Sequence, residues 1–332
     1  MPALFKKLLL WLAKGLGRDV RDERTGELLG RALCLAGPWG IWMVGLPEKV
    51  RPVFLPEGTT RYTRHRLGFQ RHEAPDYPSL HPKPEPVHPK GILWAILVHR
   101  SPSEVLKVKE YWKSLGYPEE RMLFVHAGER ADYEGLEVRN KVFVEDREIR
   151  TLHHPLQKQS YGGAFREVAS WMWGKDFQAV ALVEYDHLPL IPDWGEKLSV
   201  LMEEERADLL CHHLTRVDGT NASHYLYHLG DPGFSEIWKE VSQREEKSVF
   251  LDAVMTGSFW RRDAFEAVAA RPESMPVYLE LYLPSLAHHL GFRVRNHGEQ
   301  DKYVQVVPMD DPFAPHWKSG GAWSLHQVKS LP

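Results

Sequence analysis

The sequence predicts an α/β fold built on a central, mostly parallel mixed sheet with helical crossovers, preceded by an N-terminal extension. Three observations predict it. Short apolar runs rich in β-favouring residues recur after residue 90, helical patterns separate them, and one run ends abruptly in the acids of Glu184-Tyr185-Asp186. The chain has 332 residues, 43% hydrophobic and 26% charged, which is enough for a full core and excludes a wholly disordered polymer. Lys plus Arg number 42 against 45 Asp plus Glu, a formal charge of -3 that disfavours a generic nucleic-acid coat. The two cysteines, Cys34 and Cys211, exclude a cysteine-only zinc site and a dense disulfide framework. They fit a reducing compartment, so a cytoplasmic location is expected.

The opening MPALFKKLLLWL is followed at once by charged residues without a small-residue cleavage site, which argues against a secretion signal. It fits an amphipathic helix over 3–15 in which Leu8, Leu9, Leu12 and Leu16 share a face, packed on the body of the protein or lying peripherally on the inner face of a membrane. The run RALCLAGPWGIWMVGL at 31–46 is too short and too broken to span a bilayer. Prolines crowd the end of 47–90, so residues 73–90 read as an extended strap, and residues 1–90 as an extension with a boundary near 90. Within it Arg61, Tyr62, Arg64 and His65 suit either an anionic ligand or a solvated strand pair.

From residue 91 the pattern changes. ILWAILVH at 92–99 reads as a central strand, SPSEVLKVKEYWKSLG at 101–116 as a capped helix ending at glycine, and RMLFVHAG at 121–128 and KVFVED at 141–146 as further strands. A helix over 162–175 leads into the strand FQAVALVEYDH at 177–187. Strand and helix in alternation give a Rossmann-like open sheet. The turn after the first strand, VHRSPSEV, lacks both GxGxxG and a P-loop, and no G-x-S-x-G or HExxH occurs, which removes most support for nicotinamide, NTPase, serine hydrolase and zincin chemistry.

In an open sheet, ligands meet the C-terminal ends of the strands, so Glu184 and Asp186 stand where chemistry is done. They suit a shared divalent cation that neutralises a diphosphate, or else cap a solvated strand end. Here the sequence resembles glycosyltransferases of the A-type fold, family 2-like, whose nucleotide-diphospho-sugar transferase fold carries an acid-any-acid motif at this place. The resemblance covers about residues 90–305. It implies that Glu184 and Asp186 hold Mn2+ or Mg2+, which in turn holds the diphosphate of a nucleotide sugar, and that the late His297 completes the metal set. It also implies that Gly257 and Ser258 belong to an acceptor loop, that Arg261 or Arg262 is the basic group after it, that Glu280 is the acid opening the next helix, and that Gly291 is the turn before FRVRNH.

The residue types fit those roles. Glu280 can take the proton of an acceptor hydroxyl as it attacks the donor sugar, or can cap its helix. Trp260 suits stacking on a sugar face and the arginines suit donor phosphate, or Trp260 is core. His187, His212, His213, His288 and His289 show no zinc spacing and read as hydrogen-bonded structural residues. The segment 209–234 suits an acceptor loop, with Asp218, Tyr225 and Tyr227 as hydroxyl partners.

The expected organisation is an extension over 1–90, a catalytic domain over 91–305, and a C-terminal tail over 306–332 packed near the cleft. The expected activity is metal-dependent transfer of a sugar from a nucleotide-diphosphate donor to a carbohydrate or lipid acceptor. The rivals are a noncatalytic carbohydrate- or nucleotide-sugar-binding protein with the same fold and a metal-dependent hydrolase.

Overall fold

The computed structural model describes residues 18–21, 28–37, 40–44, 72–73, 78–82, 85–145, 160–217, 250–271, 278–304, 311, 313–328 and 331. The helix expected over 3–15, the basic and aromatic group Arg61 to His65, and Asp218, Tyr225 and Tyr227 lie outside the described residues.

The chain divides into two compact units. The first comprises Met1–Pro75, Thr215–Asp231 and Val249–Asp252. It carries a three-stranded antiparallel sheet of β1 (Arg18–Arg21), β2 (Leu28–Gly37) and β3 (Gly40–Val44). Gly37 pairs with Gly40 at the end of the β2/β3 ladder. A short strand β4 (His72–Glu73) pairs antiparallel with Thr215 and Arg216.

The second unit comprises Asp76–Leu214, Pro232–Ser248 and Ala253–Pro332. Its strands are β5 (Ile92–Val98), β6 (Met122–His126), β7 (Lys141–Phe143), β8 (Ala179–Glu184), β9 (His187–Pro189), β10 (Leu209–Val217), β11 (Phe250–Arg261), β12 (Val294–Asn296) and β13 (Ser324–His326), the first residues of β11 and the last of β10 belonging to the other unit. Its helices are α1 (Pro102–Ser114), α2 (Arg130–Gly135), α3 (Ser160–Met172), α4 (Trp194–Glu204), α5 (Arg262–Ala269), α6 (Leu279–His289) and α7 (Pro315–Ser319).

The sheet runs in the order β12-β10-β11-β8-β5-β6-β7. Pairs β5/β6, β5/β8, β6/β7 and β10/β12 are parallel, while β11 lies antiparallel against β8. The sheet is therefore mixed and mostly parallel, with helices in the crossovers.

Local sequence explains the elements. Every residue of β6 is buried, and so is all of β5 but Leu97, as strands covered on both faces demand. At the start of α1 the Glu104 carboxylate accepts from both the N–H and the hydroxyl of Ser101, with Pro102 in the first turn. Gly116, at φ 91°, follows its end. The core gathers Trp94, Trp112, Tyr117 and Trp194, with Trp94 5.0–5.3 Å from the other three rings. No helix among the described residues is long and apolar enough to cross a membrane.

The order of the strands locates a crevice. The chain leaves β5 to one side, through β6 and β7, and then returns to place β8 on the other side of β5. The two neighbouring strands β5 and β8 thus flank the point where the winding reverses, and it is beyond the C-terminal ends of such strands that open α/β sheets take their ligands.

Candidate metal centre

Strand β8 ends at Glu184. Tyr185 and Asp186 turn the chain, and the Tyr185 N–H donates to the Leu97 carbonyl of β5 at 3.0 Å. The turn leads directly into β9, which pairs antiparallel with β13 so that His187 lies opposite His326. The Val328 N–H donates to the Asp186 carbonyl at 3.0 Å, tying the C-terminal segment to the same turn.

Three ligand-capable side chains meet there. His326 Nε2 is 3.5 Å from Glu184 Oε2 and 3.6 Å from Asp186 Oδ1, and one such atom from each residue lies within 4.8 Å of the others. Asp186 and His326 are buried, and Glu184 is 37% exposed, so the group opens to solvent on the Glu184 side. A cation about 2.2 Å from each donor places neighbouring donors about 3.1 Å apart at a right angle and about 4.4 Å apart when opposed. The two separations from His326 fall between these bounds. Two carboxylates and one imidazole suit a borderline or hard divalent ion such as Mn2+ better than a thiophilic one. The residues fit the expected cation.

The structure thus brings Glu184 and Asp186 together and adds His326, which sequence reasoning missed. His297 stands elsewhere. Its Nε2 donates to the Gly257 carbonyl at 3.2 Å, and its ring stacks on His212 with centroids 3.9 Å apart. His212 Nδ1 in turn lies 3.3 Å from Asp301 Oδ1. Burial pushes the pKa of His297 well below the ordinary value, helped by neighbouring His212, and lowers that of His212 despite the bond to Asp301. Burial alone would raise the Asp301 carboxyl, but its hydrogen bond and proximity to His212 bring it below the usual range.

His187 links these elements. Its Nδ1 is 3.2 Å from Thr256 Oγ1, which also accepts the Glu184 N–H at 3.0 Å, and its Nε2 is 2.9 Å from Ser324 Oγ. Burial holds its pKa well below the ordinary value, with His326 the next contributor. Gly257 makes room for the ring, because a Cβ there would sit 2.2 Å from His187 Cε1 and φ is 76°.

The residues expected to line an acceptor loop occupy a strand instead. Gly257, Ser258, Trp260 and Arg261 are part of β11, the strand between β8 and β10, and Arg262 opens α5. Trp260 is fully buried, edge-on to Phe165 at 5.5 Å, and its indole N–H donates to the equally buried Ser258 hydroxyl. Ser258 and Trp260, two residues apart, point to the same covered face of β11, so both side chains lie in the core.

Arg261 pairs with Ala179, at the start of β8. Five residues separate it from Thr256, which places the arginines about 17 Å from the acid turn, at the opposite edge of the sheet. There Arg261 donates to the Glu85 carbonyl, and Arg262 binds Glu266 at 2.7 Å and the Lys175 and Phe177 carbonyls.

Glu280, in the first turn of α6, lies against β11. Its Oε1 accepts the N–H of Met255, the neighbour of Thr256, at 3.4 Å. Arg100, just beyond β5, donates to the Tyr185 hydroxyl, and its guanidinium sits 4.7 Å over the Tyr185 ring. Its position at the end of the first strand was a signal available in VHRS.

No protein-family model and no curated protein matches the chain. Among solved structures it is similar to Rv0371c of Mycobacterium tuberculosis, at 12% identity over 62% of this chain and 86% of that one, with a TM-score of 0.33. A CMP:2-keto-3-deoxy-manno-octonic acid synthetase complexed with CTP gives 13% identity over 62% and 88%, also at 0.33. The mannosyltransferase PcManGT of Pyrobaculum calidifontis, in complex with GDP-Man and Mn2+, gives 10% over 68% and 57%, again at 0.33. These are distant likenesses.

Proposed function

We propose that the protein is a divalent-cation-dependent transferase that moves a sugar from a nucleotide-diphosphate donor to a hydroxyl acceptor. The observation that carries this reading is the meeting of Glu184, Asp186 and His326 at the C-terminal edge of β8, beside the reversal of winding between β5 and β8. Glu184, Asp186 and His326 would hold the cation, and Arg100, which follows β5 and lies over Tyr185 of the acid turn, adds a fixed positive charge. A cation held there would supply charge neutralisation for the donor diphosphate and for the charge that develops on it as a leaving group. Glu280 takes the proton of the acceptor hydroxyl, which is a poor nucleophile until that proton is removed. If attack is direct, the anomeric centre inverts.

The test combines Mn2+ calorimetry, with and without nucleoside diphosphates, and product-detecting mass spectrometry on a panel of nucleotide sugars with carbohydrate and lipid acceptors. Wild type binds Mn2+, and Asp186→Asn weakens it by at least ~10-fold. Glu280→Gln binds donor normally but turns over ~10²–10⁴-fold more slowly. Saturable sugar binding without transfer or donor hydrolysis throughout the panel would favour the noncatalytic alternative, and donor hydrolysis without transfer the hydrolase.

A further inference from the structure

His187 has no task in the chemistry above, yet both of its ring nitrogens are committed to other elements. Nδ1 meets Thr256 on β11 at 3.2 Å and Nε2 meets Ser324 on β13 at 2.9 Å. A neutral imidazole offers one donor and one acceptor, and a hydroxyl can complement either, so both contacts are satisfied at once. Thr256 Oγ1 also holds the Glu184 N–H. Ser324 stands two residues before His326, on the same face of β13, and His326 is the register partner of His187. One rigid ring therefore separates the strand end carrying Glu184 from the strand carrying His326. Trp194 stacks near it, with centroids 5.4 Å apart, and the missing side chain at Gly257 defines its other boundary.

We propose that His187 is a positioning residue that fixes the spacing between the carboxylate pair and His326, and thereby sets the cation affinity of the group. The proposal rests on the reading of Glu184, Asp186 and His326 as a cation site. Simple packing needs only a ring of the right size, whereas positioning needs both nitrogens. The two roles separate by substitution: Phe keeps a ring and loses both bonds, Asn approximates Nδ1 and keeps the Thr256 bond, and Gln approximates Nε2 and keeps the Ser324 bond.

The experiment measures Mn2+ affinity by calorimetry and the Mn2+ electron paramagnetic resonance spectrum on the full chain. Its variants are His187→Phe, His187→Asn, His187→Gln and Ser324→Ala, with Phe265→Leu as a control in the core away from the site. We expect His187→Phe to lose ~10–100-fold in Mn2+ affinity with an altered spectrum, and Asn and Gln to lose less. Ser324→Ala weakens binding in the wild-type background but adds nothing in His187→Asn, where that bond is already gone. Phe265→Leu lowers thermal stability and leaves affinity and spectrum unchanged.

Wild-type affinity and spectrum in a folded His187→Phe, or the same affinity loss in Phe265→Leu, overturns the positioning role alone. If His187→Phe does not fold, equal and unperturbed binding by the Asn and Gln variants overturns it. Failure of the wild type to bind Mn2+, with or without a nucleoside diphosphate, overturns the cation site and this proposal with it.

Discussion

Two constraints coincide at Gly257: a left-handed backbone, with φ at 76°, and the His187 ring within 2.2 Å of where a Cβ would be. Gly298 offers the comparison, since its φ is 60° but nothing lies within 4 Å of its would-be Cβ. Gly298→Ala should therefore cost about 1–2 kcal/mol, the backbone strain alone. Gly257→Ala adds the displacement of a buried ring, for a total of about 2–5 kcal/mol. Chemical denaturation of both variants measures the difference, and equal losses would mean that the close approach has no energetic weight. The sequence singled out Gly257 for the wrong surroundings. A glycine that serves a turn and a glycine that serves a neighbouring ring look alike in one dimension, and His187 is distant along the chain.

The elements themselves were more legible than their burial. The strands at 92–98, 122–126 and 179–184 and the helix at 102–114 lie where apolar period and capping residues put them, because those signals are local. The acid pair was legible for the same reason: it ends a strand, and strand ends face ligands. GSFWRR was not, because a glycine and a hydroxyl beside aromatic and basic residues describe a subsite wall as well as they describe a covered strand running into a helix. Direction decides it, and β11 runs antiparallel to β8. Arg261 at its end and Arg262 after it are accordingly at the far edge, and Arg262 spends its donors on Glu266 and on three carbonyls preceding β8. Arg262→Ala should lower stability by about 1 kcal/mol, a typical loss for partly exposed hydrogen bonds. Donor KM and Mn2+ affinity should stay at their wild-type values. A raised donor KM at unchanged stability would return the arginine to the site.

Across the whole molecule, the buried histidines give stability a pH dependence. His212 and His297 face His187, His213, Asp301 and the Gly257 carbonyl, and burial keeps both pKa values below the ordinary 6.5. Between the folded and ordinary values the unfolded chain binds more protons than the folded one. Stability is then full above pH ~6.5 and declines as pH falls from there, by up to about 1.4 kcal/mol per pH unit for each ring. The lowered Asp301 carboxyl acts in the same direction at more acid pH. Denaturant midpoints taken from pH ~7.5 down to ~5.5 should fall, and a midpoint that rises on acidification contradicts the assignment. His326 was invisible to sequence reading for a related reason of scale: its partners are a strand end far upstream, and WSLHQ carries no metal-ligand spacing. The same separation has a consequence in time. His187 and Ser324 are 137 residues apart, and a ribosome adding ~5–20 residues per second needs roughly 7–27 s to make that stretch. Throughout that interval the nascent chain carries Glu184 and Asp186 without His326, so the three-residue group comes into being only after the last strand has been made.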